Sequence, residues 1–277
     1  VGVAFYVMSA TKNVLNARGY FAEKQIAVPN MANFLDIVAV GTVADVVPLD
    51  KNNRILVHQG IQRIRSGKTR PGILALLNIT QRHYTKCCTT DIGFVIGPRL
   101  NAAGRLEDMS HGIECLLCET SSEAANLALT LDGLNQSRRD IEQSMREQAE
   151  NALAQLSLDH KNMPAALVLY NEDYHQGVVG IVAGRMKERY YRPTIVFAND
   201  DEHVLKGSAR SIQGVHIRDV LARVDSLRPG LIHKFGGHAM AAGLSLAKID
   251  LPLFQQLLIQ VVSKLTQDLP KEAVILS

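Results

Sequence analysis

Tryptophan is absent from the 277-residue sequence, and aromatic residues of all kinds make up only 5% of it. A surface that binds its ligand through a dense platform of aromatic rings is therefore not expected. Long apolar runs are also missing, since none reaches the roughly 18 residues that a membrane-spanning helix needs. The first residues lack the basic region of a secretory leader. With 47% hydrophobic and 21% charged residues, the composition favours a globular protein.

Cysteine is scarce as well, and its spacing does not suggest disulfides. The four cysteines are Cys87, Cys88, Cys115 and Cys118. An adjacent pair and a C-x-x-C make a poor disulfide framework, which favours a reducing, cytoplasmic location. A zinc site is the alternative for the C-x-x-C, but its apolar neighbours favour a buried helix face with free thiols.

The sequence does not begin with methionine, and residues 1–17 start within an apolar helical pattern. We therefore expect a piece of a longer protein. The length suits one large or two medium domains.

Charge is unevenly distributed although the net charge is only +3. Residues 51–105 carry ten Lys and Arg against a single acid, whereas residues 106–173 carry thirteen acids against four basic residues. Residues 181–238 are basic again, with ten against six. Basic segments of this kind suit a polyanionic ligand such as nucleic acid, and solvated faces are the alternative.

The N-terminal third has helical periodicity and almost no strand pattern. Asp50 is predicted to cap a helix over 51–65, and Pro71 to open a short helix. Gly97-Pro98 is predicted to break a helix. Thr120 begins a capping-box spacing at the start of an acidic, amphipathic helix of roughly 35 residues.

After Pro164 the pattern changes to alternating strands and helices. Strands are predicted at 165–170, 193–200, 203–211 and 241–246, and helices at 177–190, 216–224 and 251–265. This order indicates a compact α/β domain with a central sheet.

Asp45 lies in "DIVAVGTVADVVPLD", residues 36–50, among small and β-branched residues. A carboxylate in an apolar setting is paired, hydrogen-bonded or bound to a cation, so Asp45 is a candidate ligand for a divalent metal. An ordinary aspartate at a helix end is the alternative. One carboxylate cannot form a hydrolytic metal site by itself.

Arg99, Asn101 and Arg105 follow one another among small residues in "GPRLNAAGR". Small neighbours let a phosphate approach, and arginine offers a planar fork of donors to its oxygens. Arginines that cap helix ends or pair with the acidic helix are an equally good interpretation.

Two motifs of the C-terminal half also carry groups that bind anions. His175, Gln176 and Gly177 lie in a loop between a strand and a helix, where free N–H groups attract anions, unless the loop is an ordinary capped turn. In "KGSARS" a period of two places Lys206, Ser208 and Arg210 on one strand face, with Ser211 next. This strip suits phosphate, and a solvated edge strand is the alternative.

A glycine pair and a histidine, Gly236, Gly237 and His238, form the last motif, "KFGGHAMAAG". Glycine pairs weaken helices and strands, so a turn is expected here. The histidine alone is compatible with a metal ligand, a base, a phosphate contact or a turn residue.

These five motifs, in this order, resemble the RecJ family of bacterial single-strand-specific 5′→3′ DNA exonucleases, which are DHH phosphoesterases. The resemblance covers residues 1 to about 265. It implies an α/β protein with a helical C-terminal part of a DHH catalytic domain (1–118), a long connector helix (119–160) and a DHHA1 substrate-binding domain (161–277).

The resemblance also implies how such a protein works. Two Mn²⁺ or Mg²⁺ ions activate water against the phosphodiester, and Asp45 matches the family's last aspartate ligand, which makes it a catalytic residue. The other motif residues are expected to bind the nucleic acid: Arg99, Asn101, Arg105, His175, Gln176, Gly177, Lys206, Ser208, Arg210, Ser211, Gly236, Gly237 and His238. The implied partners are single-stranded DNA with a 5′ end, a single-strand-binding protein and a helicase, in DNA repair and recombination.

The sequence departs from the family pattern in one important respect. The Asp-His-His motif and the earlier aspartate ligands do not occur in it, nor does the OB-fold that follows DHHA1 in the family. We therefore expect a chain that binds DNA but is inactive alone. A DHH phosphoesterase for short oligonucleotides and a non-catalytic DHH-derived scaffold are the other hypotheses.

Overall fold

The computed structural model describes residues 1–155 and 163–267. The chain divides into two compact units, Val1–Ser137 and Arg138–Ser277. Each unit has its own buried apolar core.

The first unit is made of helices, as its sequence pattern predicts. They are α1 (Gly2–Ala17), α2 (Tyr20–Glu23), α3 (Leu35–Ala44), α4 (Lys51–Arg65), α5 (Pro71–Asn78), α6 (Thr89–Asp91), α7 (Gly97–Leu106), α8 (Ser110–Leu117) and the first half of α9 (Ser121–Gln155). Short 3₁₀ turns lie at Met31–Phe34 and Tyr84–Lys86. The core is formed mainly by α3, α4, α5 and α7 together with the start of α9.

Local chemistry fixes the helix starts where the sequence predicts them. The Asp50 carboxylate accepts the N–H of Asn53 at 2.8 Å and so caps α4. Pro71 occupies the first turn of α5, where its missing N–H costs nothing. Thr120 Oγ1 accepts the N–H of Glu123 at 3.2 Å ahead of α9.

The prediction that Gly97-Pro98 breaks a helix is wrong. Gly97 has helical dihedral angles, φ −54° and ψ −48°, and the chain continues from α6 into α7 without a loop. A π-helical turn at Ile92–Ile96 precedes the proline. Because a π turn widens the helix by one residue, it accommodates the proline ring and the missing N–H that would otherwise interrupt the backbone.

The long helix is present as predicted. α9 contains 35 residues, which corresponds to a length of roughly 50 Å at 1.5 Å per residue. Its buried positions include Ala124, Leu131, Met145 and Ala149. Residues 156–160 of the predicted connector lie outside the described residues.

The second unit is an α/β domain around a five-stranded mixed sheet. Its strands are β1 (Leu167–Tyr170), β2 (Thr194–Asn199), β3 (Val204–Arg210), β4 (Lys234–Gly237) and β5 (Ala241–Ala247), in the spatial order β1-β2-β3-β5-β4. β1 and β2 are parallel, and all other pairs are antiparallel. The helices are α10 (Val179–Tyr190), α11 (Ile217–Leu227) and α12 (Leu251–Leu265).

The two faces of this sheet differ sharply. On one face Leu205, Ala209 and Leu244 are buried in a core with apolar side chains of α11 and α12. Phe197 and Phe254 meet edge to face in this core, with ring centroids 5.7 Å apart. On the opposite face the residues of β3 and β5 that alternate with these are exposed or half-buried.

The expected glycine turn at Gly236-Gly237 is wrong by two residues. Both glycines belong to the edge strand β4, and the turn follows at His238, whose N–H donates to Ala241 O at 2.8 Å. Pairing with β5 holds Gly237 at φ +148°, where a Cβ would collide with Ala241 O. Glycine is therefore required at position 237 by this hairpin.

Candidate nucleic-acid interface

One face of the sheet in the second unit collects the polar residues of several motifs. We call this surface, formed by β3, β5 and β4, the open face. Its rows of cross-strand neighbours are Lys206–Ser245–Lys234, Ser208–Gly243–Gly236 and Arg210–Ala241. Lys206, Lys234, Gly236 and Gly243 are exposed, and Ser208 and Arg210 are half-buried. The face therefore presents cations, hydroxyls and bare backbone.

Ser208 and Arg210 lie together at the N-terminus of α10. Arg210 Nη1 donates to Ser208 Oγ at 2.9 Å and to Ala209 O at 2.9 Å. A Cβ built at Gly180, in the first turn of α10, would lie 2.9 Å from Arg210 Nη2 and 3.0 Å from Ser208 Oγ. A guanidinium, a hydroxyl and the positive end of a helix dipole thus converge on one small volume, which is a favourable arrangement for an anion.

The loop before α10 is held in place by its own polar groups. His175 O accepts the N–H groups of Val178 and Val179, and His175 Nδ1 accepts the N–H of Gly177 at 3.0 Å. That acceptor role assigns the proton of a neutral imidazole to Nε2. The exposed His175 and the half-buried Gly177 therefore lie immediately ahead of the N-terminus of α10.

Gln176 has a different placement. Its Nε2 donates to Asn199 O at 2.6 Å and to Asp200 Oδ1 at 3.1 Å. Lys206 Nζ lies 3.9 Å from the same Asp200 carboxylate. Gln176 thus fastens the loop to the end of β2, which favours the capped-turn interpretation for its side chain.

Ser211 and His238 lie at opposite extremes of exposure. Ser211 is buried, with 1% of its surface exposed, and its Oγ donates to Val215 O at 2.6 Å. This placement favours a structural role. His238 is exposed and hydrogen-bonds to Ala241, which extends the Arg210–Ala241 row to the edge of the sheet.

In the first unit, Asp45 occupies the C-terminal end of α3 and is exposed. A negative charge at this end of a helix is disfavoured by the helix dipole. The next residue, Val46, has φ +54°, a strained conformation for a β-branched side chain, and is 86% exposed. Two unfavourable features at one exposed corner are characteristic of a functional site.

The start of α7 packs against this corner. A Cβ at Gly97 would lie 2.9 Å from Ala44 Cβ, so glycine permits the close approach of α7 to the end of α3. Asn101 and Arg105 follow Gly97 by four and eight residues and therefore share its side of α7, and both are exposed. The structure thus places the first residue of the "GPRLNAAGR" motif against Ala44, the residue before Asp45.

Arg99 points elsewhere. It is buried, its Nε and Nη2 lie 2.8 and 2.7 Å from Asp132 Oδ1, and its Nη1 donates to Val95 O at 2.9 Å. The guanidinium therefore joins α7 to α9. This favours the interpretation that the arginine pairs with the acidic helix over a contact to phosphate.

The described donor groups do not form a metal site. Among residues 1–155 and 163–267, no three His, Cys, Asp or Glu side chains lie close enough together to hold a metal ion. Asp45 therefore does not belong to a group of three such ligands among the described residues. The zinc alternative for the cysteines fails by the same criterion. Burial raises the pKa of Cys87 and Cys115 to about 11, as expected of inert thiols.

Within the part of the chain that the structure describes, no helix combines the length and apolar character needed to cross a bilayer. The cytoplasmic location stays a prediction.

Comparison with known proteins gives the family. Residues 163–264 match the DHHA1 domain. RecJ of Escherichia coli, a single-stranded-DNA-specific exonuclease, is 56% identical over 256 residues, which are 92% of this chain and 44% of that protein. The chain belongs to the RecJ family. RecJ of Bacillus subtilis is 37% identical over 219 residues, 79% of this chain and 27% of the relative. The resemblance drawn from the five motifs is confirmed.

Solved RecJ structures agree with the fold. RecJ from Thermus thermophilus in complex with Mg²⁺ matches with a TM-score of 0.74 at 28% identity, over 88% of this chain and 36% of that one. An exonuclease RecJ bound to manganese matches with a TM-score of 0.71 at 28% identity, over 91% and 60% of the two chains. The α/β fold class is confirmed. The chain spans less than half the length of the RecJ proteins of Escherichia coli, Salmonella typhimurium and Haemophilus influenzae.

Gly180, Lys234, Gly243 and Ser245 belong to the candidate interface but were not predicted from the sequence. Gly243 and Ser245 share the open face through the strand alternation of "AAGLSL", a signal that the sequence offers once the strand is recognised. Gly180 gives no such signal, because its proximity to Ser208 and Arg210 depends on how α10 packs on β3.

Proposed function

We propose that this chain is the strand-binding part of a metal-dependent 5′→3′ exonuclease that hydrolyses phosphodiester bonds of single-stranded DNA in repair and recombination. In this proposal residues 1–118 belong to a DHH catalytic domain, 119–160 to a connector and 161–277 to a DHHA1 domain. The convergence of Ser208, Arg210 and the N-terminus of α10 is the observation that carries it.

The chain's own chemistry is that of binding. The guanidinium of Arg210 and the hydroxyl of Ser208 supply charged and neutral donors to phosphate oxygens, and α10 adds its dipole. Lys206 and His238 extend this surface along β3 and at the hairpin turn, and Asn101 and Arg105 supply donors in the first unit. Because only 5% of the residues are aromatic, phosphate contacts outweigh base stacking.

Metal chemistry needs more than these residues provide. The RecJ structures with Mg²⁺ and Mn²⁺ support Mg²⁺ or Mn²⁺ as the cofactor of the complete enzyme. Asp45 fits as one oxygen ligand, but the described residues do not form a complete site. No catalytic step is therefore assigned to this chain, and a single-strand-binding protein and a helicase stay expected partners by family resemblance.

Binding and cleavage assays test the proposal on the chain itself. Fluorescence anisotropy should show weak binding to a 5′-phosphorylated single strand, with affinity falling steeply as salt rises, and weaker binding to blunt duplex. Incubation with Mn²⁺ should leave the strand intact. If the chain does not bind single-stranded DNA at low salt, the binding role is refuted. If the chain cleaves the strand and Asp45→Ala abolishes this cleavage, the predicted inactivity is refuted.

An oligonucleotide length series distinguishes the hypotheses. A strand-binding role predicts affinity that increases with length as more phosphates are contacted. A protein specialised for short oligonucleotides would bind dinucleotides as tightly as longer strands. A non-catalytic scaffold would show no dependence on strand length at all.

A further inference from the structure

Two glycines of the open face occupy mid-strand positions where the fold does not need them. Gly243 of β5 and Gly236 of β4 are cross-strand partners. At Gly236, no described heavy atom beyond its chain neighbours lies within 4 Å of the position of a Cβ. At Gly243 the nearest is Gly207 O, at 3.9 Å, an ordinary contact distance. Neither glycine has a φ in the left-handed region.

Other glycines of this sheet, on β3 and β4, are needed for folding. A Cβ at Gly207 would lie 2.5 Å from the Phe197 ring, and Gly237 has its φ of +148°. Glycine weakens a strand because it loses the most conformational freedom on folding. Where packing does not require it, a strand glycine is typical of a site that a ligand approaches closely. Gly243 and Gly236 fit this second case.

A polar row lies one step along the strands from these glycines. Lys206, Ser245 and Lys234 are cross-strand neighbours on β3, β5 and β4. They lie two residues from the Ser208–Gly243–Gly236 row, a distance of about 7 Å along a strand. The Lys206 side chain is 60% exposed, and the Asp200 carboxylate 3.9 Å away is the acidic group beside it. Two cations with a hydroxyl between them suit a phosphate group.

We propose that Lys206, Ser245 and Lys234 form a second phosphate subsite, and that Gly243 and Gly236 form the floor for the nucleoside between this subsite and Ser208–Arg210. The ligand class is an oligodeoxynucleotide with at least two phosphates. The inference rests on the proposed function, because it assigns the strand that the Ser208–Arg210 site binds. Beyond the proposed function, the inference names the residues that contact the next phosphate of this strand.

Ligands with one and two phosphates separate the subsites. The probes are thymidine 5′-monophosphate and 5′-phosphorylated dithymidylate, titrated into the full chain by NMR. Lys234→Ala and Ser245→Ala should each lower the affinity for the dinucleotide by roughly fivefold or more. The affinity for the mononucleotide should stay unchanged. Lys264→Ala, an exposed lysine on α12, is the matched control and should change neither.

The outcomes are distinguishable. If Arg210→Ala weakens both ligands while Lys234→Ala and Ser245→Ala weaken neither, the second subsite is wrong and the proposed function stands. If wild type binds neither ligand, or Arg210→Ala has no effect, both proposals fail. If Lys234→Ala and Lys264→Ala lower the dinucleotide affinity equally, the effect comes from the loss of positive charge anywhere on the protein. That result would overturn the subsite.

Gly243→Val tests the floor without endangering the fold. The side chain would extend into open space and valine favours strands, so the melting temperature should stay the same or rise. Dinucleotide affinity should nevertheless fall, because the isopropyl group occupies the place of the nucleoside. A folded Gly243→Val chain that binds dinucleotide as wild type does would refute the floor.

Discussion

Arg210 donates a hydrogen bond to Ser208 across 2.9 Å, and both groups meet the first turn of α10 at Gly180. Two separate stretches of sequence, "KGSARS" and "HQGVVG", contribute to this contact, and the pairing of β2 with β3 orients the first of them. The guanidinium of Arg210, the hydroxyl of Ser208 and the N-terminal end of α10 therefore lie around one small volume, which is a favourable arrangement for an anion.

Gly180→Ala should lower affinity for single-stranded DNA while keeping the fold. Its Cβ would lie 2.9 Å from Arg210 Nη2, so the flexible guanidinium must move away from the anion position. Alanine also favours the helix by about 1 kcal/mol. Thermal melting and anisotropy together check both effects.

Gly184→Ala is the matched control for this change. Gly184 lies one turn further along α10, and no described atom beyond its chain neighbours comes within 4 Å of a Cβ there. It should stabilise the helix equally and leave DNA binding unchanged. Loss of binding in both variants would mean that α10 itself, and not the Ser208–Arg210 contact, had been disturbed.

Arg99→Ala should reduce stability more than DNA binding. The guanidinium is buried and pairs with Asp132, whose side chain is 43% exposed, so we expect a loss of about 1–3 kcal/mol in unfolding free energy. A double-mutant cycle with Asp132→Ala, measured by denaturant unfolding, should show that the two residues are coupled. Two results together would restore the phosphate-contact interpretation. The losses of unfolding free energy would be additive in the double-mutant cycle, and folded Arg99→Ala would bind DNA more weakly than wild type.

Asp36→Asn should destabilise the first unit by about 3–5 kcal/mol, the range for breaking a buried ion pair. The Asp36 carboxylate is buried and accepts hydrogen bonds from Arg70 Nη1 at 2.5 Å and Thr69 Oγ1 at 2.8 Å. Asp50→Asn is the control, because asparagine caps a helix about as well as aspartate. Equal, small changes in urea unfolding of the two variants would contradict this account.

Cys87 and Cys115 should resist alkylation in the native protein at pH 8. Burial raises the pKa of both thiols from 9.0 to about 11, so almost no thiolate is present at that pH. Their contribution to stability is complete below pH 9 and declines as the pH rises from 9 towards 11, because the unfolded chain releases these protons first. Mass spectrometry after iodoacetamide, with and without guanidinium, checks the labelling. Rapid native labelling at either position would show that the thiols are exposed.

Much of the fold follows from local signals in the sequence. Asp50 and Pro71 define helix starts through chemistry contained in a few residues, and the alternation in "KGSARS" places Lys206, Ser208 and Arg210 on one face. The π turn before Pro98 could not be predicted, because it depends on how the widened helix packs against α3. The edge strand β4 was missed because its glycines have low strand propensity and only pairing with β5 holds them.

The site is less predictable than the fold for the same reason. Arg99 reaches Asp132 across 33 positions of sequence, so its motif could not show that its donors are occupied within the protein. Ser211 continues the polar run of "KGSARS" but turns into the interior towards Val215. Local patterns thus identify candidate residues, and only tertiary packing separates those that remain available to a ligand from those that do not.

The central claim is that Ser208 and Arg210 bind a phosphate of single-stranded DNA. Its most direct test is the affinity of Arg210→Ala for a 5′-phosphorylated single strand at fixed salt, measured beside Arg223→Ala. Arg223 is exposed on α11, which covers the opposite face of the sheet, so both variants lose one positive charge. The account predicts a loss of about 1–3 kcal/mol for Arg210→Ala and little change for Arg223→Ala. Equal affinities for the two variants would contradict it.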